Sequence, residues 1–343
     1  MPSLFDLDLA GLEALVQEAG ETPYRARQIL GWMYRRFASS FDDMSDLPAR
    51  LRQHLGETVR FSQLELVRKQ EGEDEWAKRY LWAEGGEPLC ESVLLRYKYG
   101  LTGCVSTQAG CPVGCIFCAS QLLGFQRSLT TGEILEEFVG MCRDQGDRLG
   151  RLVFMGTGEP FLNYDAVMAT IDTVCDAACY GLSRRRVTVS TIGIPAAIRR
   201  YAADSRGARL ALSLHAPDDD TRDHLIPMNK RFPIGSVVGA LKEFSISTGQ
   251  RVTIEYMLLR DVNDSRTAAQ KLADLVGDID CLVNLIPWNA VPGFQWRRPG
   301  LARVKEFRDT LERNRVRVTV RRRLGGNIEA ACGQLRREAE PER

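Results

Sequence analysis

The sequence has no run of about 18 consecutive apolar residues, so no spanning helix is expected. Histidine is scarce: His54, His215 and His224 are the only three, which leaves little imidazole for metal or acid–base sites. Neither sign of charge is in excess, with 46 Lys+Arg against 45 Asp+Glu and a net charge of +1. That balance excludes a globally basic nucleic-acid protein but allows a local basic patch. The first residues, MPSLFDLDLAGLEALVQEAG, carry Asp6, Asp8 and Glu13 and no basic n-region, so a secretory leader is not expected. No fixed-period repeat or low-complexity tract is visible. Cysteine, by contrast, is plentiful at ten residues. Without a leader, a disulfide scaffold is not the expected use. The alternatives in a reducing compartment are core residues, metal ligands and reactive thiols, and a cytoplasmic protein is expected.

The chain of 343 residues is long enough for two domains, or for one α/β barrel with an appendage. Residues 1–58 read as helical: GLEALVQEAG has helical spacing, Thr22-Pro23 fits an N-cap and N1 pair before YRARQILGWMYRRF, and LPARLRQHL predicts a third helix. Residues 59–99 change character. FSQLELVRKQ, AKRYLWAE and PLCESVLLRYKY are β-rich and are separated by Glu71-Gly72-Glu73-Asp74 and Gly85-Gly86, which predicts a small antiparallel extension. From 100 to 343 the pattern is strand–helix–strand. LTGCVST, RLVFMGT, RRVTVSTI, ARLALSLH, RVTIEYMLL and CLVNLIPW alternate with helical stretches, including TGEILEEFVGMCRDQ and SRTAAQKLADLVGD. Six βα units predict a parallel sheet, and a last helix and strand (ARVKEFRDTLERN, VRVTVRRR) precede the tail.

In parallel barrels, chemistry gathers at the C-terminal ends of the strands. Here those ends are polar or glycine-rich: the cysteine cluster, Gly156-Thr157-Gly158-Glu159-Pro160, Ser190-Thr191, Ser213-Leu214-His215 and Trp288-Asn289. The cluster reads Cys111-Pro-Val-Gly-Cys115-Ile-Phe-Cys118. Soft thiolates select zinc or iron–sulfur clusters. Structural zinc wants four closed ligands, and no fourth cysteine or histidine follows nearby. Three thiolates can hold three irons of a four-iron cluster and leave the fourth open to a small molecule. The bland alternatives are three packed cysteines, or a zinc site closed by a distant cysteine.

CxxxCxxC after a first strand, followed by a GEP segment, resembles the radical S-adenosylmethionine superfamily. The resemblance implies that S-adenosylmethionine chelates the open iron through its amino and carboxylate groups. More closely, CVSTQAGCPVGCIFCAS, GEPFLNYD, RVTVSTIG, LALSLHAPDDDTRD, RVTIEYMLL, NLIPWN and AACGQL resemble the RlmN/Cfr family of RNA adenine methyltransferases. The resemblance extends over nearly the whole chain, the N-terminal helices included. One departure is the stretch Arg323-Leu324-Gly325-Gly326-Asn327-Ile328, where the family more often has an acidic residue after the glycine.

The resemblance implies a partial (β/α)6 radical S-adenosylmethionine barrel with an N-terminal helical accessory domain and a small β extension. It implies three cysteine ligands to one [4Fe-4S] cluster (Cys111, Cys115, Cys118). Cofactor contacts fall on Gly158, Glu159, Ser190, Ser213, Leu214, His215 and Asn289, with two S-adenosylmethionine molecules used per turnover. Cys332 matches the cysteine that is methylated, Cys104 the one that resolves the protein–RNA bond, and Glu91 the general base. Spacing alone singles out none of these three, since free cysteines are usually buried hydrophobes and a lone strand glutamate is usually solvated. Cys90, Cys142, Cys175, Cys179 and Cys281 are read as core.

The implied reaction is methylation of carbon 2 of an adenine in 23S rRNA and in tRNA. Carbon 2 is not nucleophilic, which is why radical chemistry is needed. The other branch of the family would methylate carbon 8, and a non-catalytic RNA-binding protein with a structural metal is a reading of a different class. A flavodoxin-type electron donor, a monomer and no membrane are expected. Local charge agrees with RNA: residues 297–323 hold eleven Arg and Lys against Glu306, Asp309 and Glu312. Tyr24, Arg25, Arg27, Trp32, Tyr34, Arg35 and Arg36 form a second basic–aromatic stretch. The bland reading of each is a solvated helix face.

Overall fold

The computed structural model describes residues 1–72, 76–122, 124–204, 207–321 and 334. Three helices open the chain: α1 (Leu9–Glu18), α2 (Tyr24–Tyr34) and α3 (Ala49–Thr58). Asp8 caps α1 by accepting the Gly11 N–H at 2.8 Å. The Thr22 cap does not form. Pro23 is already helical, α2 starts at Tyr24, and Thr22 supplies only its carbonyl, to the Arg25 N–H at 2.9 Å.

Strands β1 (Glu65–Glu71), β2 (Ala77–Glu84) and β3 (Glu87–Tyr97) follow as an antiparallel meander. The β2–β3 turn is Gly85-Gly86, both at positive φ (58° and 85°), as a two-residue hairpin demands. The meander continues the main sheet: β3 pairs antiparallel with β4 (Gly100–Val105). The short strands β5 (Gln108–Ala109) and β6 (Arg127–Ser128) pair with each other across the base of the cysteine loop.

The remaining elements alternate: α4 (Thr131–Gln145), β7 (Arg151–Phe154), α5 (Tyr164–Cys175), β8 (Val187–Thr191), α6 (Pro195–Ala203), β9 (Arg209–Ser213), α7 (Asp219–Leu225), α8 (Ile234–Thr248), β10 (Val252–Leu258), α9 (Arg266–Val276), β11 (Cys281–Pro287), α10 (Leu301–Arg313) and β12 (Arg317–Val320). Strands β4, β7, β8, β9, β10, β11 and β12 are parallel in that order. This is the six-unit α/β barrel with its seventh strand. It is open, because β1 and β12 stand at the two edges of a ten-stranded sheet.

The N-terminal helices are docked onto the barrel by polar anchors as well as by core packing. Glu136 of α4 accepts from the Ser3 and Ser62 hydroxyls, both at 2.6 Å, and from the Gln63 and Leu64 N–H groups at 2.9 and 2.7 Å. Arg35, which follows α2, donates to the carbonyls of Ala177 and Cys179. Arg143 of α4 reaches back to the Phe37 and Ala38 carbonyls. Among the described residues no helix is long and apolar enough to cross a membrane.

Candidate active site

Strand alternation sends every second side chain into the barrel. Ser190 and Ser213, which end β8 and β9, point inward with their hydroxyls 3.2 Å apart. Cys111, Cys115, Cys118, Gly158, Glu159, Ser190, Ser213 and His215 line one cavity at this end. Leu214 and Asn289 stand behind that wall. Leu214 uses its backbone, donating to the Glu255 carbonyl and accepting from Arg222, and Asn289 accepts from Arg298 at 3.3 Å.

The cysteine loop needs two glycines. A Cβ on Gly110 (φ +75°) would lie 1.6 Å from the Gly124 carbonyl oxygen, and Gly114 sits at φ +72°. Trp288 and Trp296 hold the loop from above, donating to the carbonyls of Phe117 and Ile116 at 3.3 and 3.0 Å. The Ile116 N–H donates to the Leu225 carbonyl.

The three cysteines are half-buried. Burial pushes Cys111 up to about 12 and Cys115 well above the usual thiol value, and the thiols raise one another. Three adjacent thiolates are therefore costly here unless a cation joins them. Among the described residues no three His, Cys, Asp or Glu side chains converge as ligands of a single metal ion do. A polynuclear iron–sulfur cluster takes its thiolates one per iron, so three soft donors spread around one cavity fit it.

The Gly156–Pro160 loop is threaded against β4. The Thr107 N–H donates to the Thr157 carbonyl at 2.9 Å, and Thr157 and Glu159 donate to the side chains of Ser106 and Gln108. A Cβ on Gly158 (φ +113°) would lie 2.6 Å from the Thr107 hydroxyl. Glu159 accepts from the Thr191 hydroxyl at 2.6 Å and from the Ile192 and Phe161 N–H groups at 2.9 and 3.0 Å. Burial pushes its pKa up to about 7 against these bonds.

His215 has φ +58°, and its Nδ1 accepts the Met257 N–H at 3.0 Å. Burial, with a smaller push from Arg222, lowers its pKa to about 3. It is therefore the neutral Nε2–H tautomer, a donor on the cavity wall.

Arg222 was not singled out from the sequence. It is fully buried and joins two strand ends, donating to the carbonyls of Leu214 and Ser213 after β9, to that of Ile192 after β8, and to the Asn229 side chain at 2.7 Å. Burial lowers its pKa to about 10, so it stays charged and raises the local potential at Cys115. The one available signal was an arginine inside an otherwise acidic segment, DDDTRD.

Cys104 lies on the inner face of β4, packed with Ala77, Val93 and Leu95, with Tyr97, Val153 and Met155 against them. Val93 and Cys104 are cross-strand partners, so Glu91, two residues along β3, is the diagonal neighbour of Cys104 on the same face. Glu91 is buried and paired with Arg79 of β2, itself buried, which the sequence reading also missed. Cys332 lies outside the described residues, as do Arg322 and Arg323 and the loop after them. Gln334 is buried and donates to the Ala290 carbonyl, just past β11, at 2.6 Å.

Among the described residues, part of the charge of each basic stretch is paired. Arg303, Lys305 and Arg308 pair with Glu306 and Asp309 along α10. Asp261 and Asp280 pair with Arg297 and Arg317. Arg321 lines the barrel cavity. In the N-terminal stretch, Tyr34 is buried, Arg25 pairs with Glu21, and Arg36 lies 4.1 Å over the Trp32 ring and pairs with Asp46. Cys90, Cys142, Cys179 and Cys281 are buried and Cys175 half-buried, as expected for core thiols.

Residues 3–60 match the family model described as ribosomal RNA large subunit methyltransferase N-terminal domain, and residues 105–272 match the radical SAM superfamily. A probable dual-specificity RNA methyltransferase RlmN of Pelotomaculum thermopropionicum is 44% identical over 97% of this chain and 91% of its own length. Its counterpart in Symbiobacterium thermophilum is 42% identical over the same shares. The crystal structure of a radical SAM methyltransferase from Sphaerobacter thermophilus superimposes with a TM-score of 0.96, at 40% identity, over 98% of this chain and all of that one.

Proposed function

The chain belongs to the RlmN family of radical SAM RNA methyltransferases, and from that premise we propose that it methylates carbon 2 of an adenine in 23S rRNA and in tRNA. Three thiolates (Cys111, Cys115, Cys118) hold a [4Fe-4S] cluster. When bound, cluster and S-adenosylmethionine supply a reductively generated 5′-deoxyadenosyl radical, with electrons from a flavodoxin-type donor. Ser190, Ser213 and the Nε2–H of His215 present hydrogen-bonding groups to the bound S-adenosylmethionine. Glu159 fixes the loop that carries Gly158, and its carboxylate would receive the amino group of S-adenosylmethionine.

The chain's own covalent chemistry runs through Cys332 and Cys104. The Cys332 sulfur accepts a methyl group from a first S-adenosylmethionine; a hydrogen atom of that methyl group would pass to the 5′-deoxyadenosyl radical, the carbon left on Cys332 would add to the base, and the adduct would return one electron to the cluster. Glu91, held by Arg79, removes the ring proton. The Cys104 thiolate then attacks the Cys332 sulfur, the sulfur–carbon bond breaks with its electron pair on the carbon, which takes up a proton to give the methyl group, and a Cys104–Cys332 disulfide remains for reduction. The observation that carries this reading is the register of β3 on β4, which sets Glu91 and Cys104 side by side on the inner face of the barrel. Gln334, two residues from Cys332 in the sequence, is held at the Ala290 carbonyl just past β11.

The test separates the two cysteines. Cys104→Ala should form the carbon–carbon bond and accumulate covalently attached to RNA, seen by mass spectrometry after nuclease trimming. Glu91→Ala should stall at an adduct as well, and Cys332→Ala should give neither product nor adduct. Normal turnover by Cys104→Ala, or crosslinking by Cys332→Ala, would overturn the assignment.

A further inference from the structure

The cavity does not end at the cysteines. Toward the N-terminal ends of the parallel strands it meets a second chamber lined by Trp76, Tyr97, Tyr99, Arg151 and Thr188, among others, and Met155 and Arg321 belong to both. Cys104 stands on the wall between them, in the group that packs with Tyr97, Val153 and Met155. The cysteine end is roofed by the loop that Trp288 and Trp296 tie down. The other end is open and carries a different chemistry.

Its rim is aromatic and cationic. The Tyr97 and Tyr99 rings stack at 4.9 Å and 9°, and the Arg151 guanidinium lies 4.7 Å from the Tyr99 ring. Tyr99 is 64% exposed. Lys98, Arg186 and Arg209 are exposed around it. Arg209 is the cross-strand partner of Thr188, so it shares the inner face with that lining residue. Among the described residues Lys98, Arg151, Arg186 and Arg209 have no carboxylate at ion-pair distance, whereas Arg184, Arg251 and Arg317 nearby are paired with Asp172 and Asp280. Unpaired cations beside an exposed π-stack suit a single-stranded nucleotide: phosphates meet the charges, and a base extends a stack of rings and guanidinium. Helix α10 carries as many cations, Arg303, Lys305, Arg308 and Arg313, but its own carboxylates pair with the first three.

We propose that the RNA docks on this N-terminal rim of the barrel. Tyr99 and Arg151 stack on an unpaired base of the target strand, Lys98, Arg186 and Arg209 hold flanking phosphates, and the target adenine reaches Cys104 through this mouth. The proposal rests on the methyltransferase reading above and adds the face that receives the substrate.

The experiment titrates a tRNA transcript against the reconstituted full-length protein at several salt concentrations. Tyr99→Ala should weaken binding about five- to a hundredfold, the range for one lost base stack. Arg186→Gln with Arg209→Gln should flatten the slope of log affinity against log salt by about 1.5, for two lost phosphate contacts. Lys305→Gln with Arg308→Gln on α10 should leave the slope unchanged. Wild-type affinity and slope in the rim variants, while the wild-type protein methylates the RNA, would overturn this docking face alone. A wild-type protein that neither binds nor methylates RNA would overturn the functional reading with it.

Discussion

Arg79→Met isolates the interaction that holds the proposed general base. The Arg79 and Glu91 side chains are only 3% and 2% exposed, and Nε of Arg79 donates to Oε1 of Glu91 at 3.0 Å with a second bond from Nη2. Removing one member of such a pair leaves a charge in a poorly hydrated interior, which typically costs about 3–5 kcal/mol, more than the pair itself contributes over a neutral replacement. Arg79→Met should therefore lose about 3–5 kcal/mol of unfolding free energy, measured by urea titration of the cluster-free protein. Adding Glu91→Gln removes the stranded charge, so the double variant should recover about 2 kcal/mol of that loss although a second native group has gone. Strict additivity in the double variant, or a loss below about 1 kcal/mol in the single one, would refute the claim that Glu91 is held as a buried carboxylate by Arg79.

Two further outcomes follow from the same geometry. Glu136→Ala takes the acceptor from the buried Leu64 N–H and Ser3 hydroxyl and from the part-buried Gln63 N–H where the N-terminal helices meet α4, and should cost about 3 kcal/mol; faster limited proteolysis of residues 1–60 checks it, and wild-type resistance would contradict it. His215, with its folded pKa lowered to about 3, takes up a proton more readily when unfolded, so its contribution is complete above pH 6.5 and declines as pH falls toward 3, by about 1.4 kcal/mol per pH unit. His215→Asn keeps an acceptor for the Met257 N–H and tolerates the positive φ; it should abolish that part of the acid slope, and an unchanged slope would mean that another group supplies it.

The parallel strands and the helices between them were legible because each carries its own periodicity, and α4 spans the same residues, Thr131–Gln145, that its pattern marks. The β extension was legible as strands but not as part of the barrel sheet. Alternation gives a strand its faces and says nothing of which edge it joins, and only the Val93–Cys104 register brings Glu91 beside Cys104. Arg79 and Arg222 escaped notice because their partners lie on other elements: Glu91 on the next strand, and the carbonyls of Ile192, Ser213 and Leu214 at two strand ends. The ion pairs of the basic tract after residue 297 were not legible for the same reason. Its charge can be counted along the chain, but Asp261 and Asp280, which pair with Arg297 and Arg317, arrive from separate loops.

The most direct test of the account is the identity of the methylated base. The protein is reconstituted anaerobically with iron and sulfide and given S-adenosylmethionine, a reductant and either 23S rRNA or tRNA, and the digested nucleosides are resolved by mass spectrometry against standards. The account predicts 2-methyladenosine from both RNAs, with cluster and product both lost on changing Cys111, Cys115 or Cys118 to Ala. 8-Methyladenosine, or stoichiometric zinc with no iron uptake and no methylated adenosine, would contradict it.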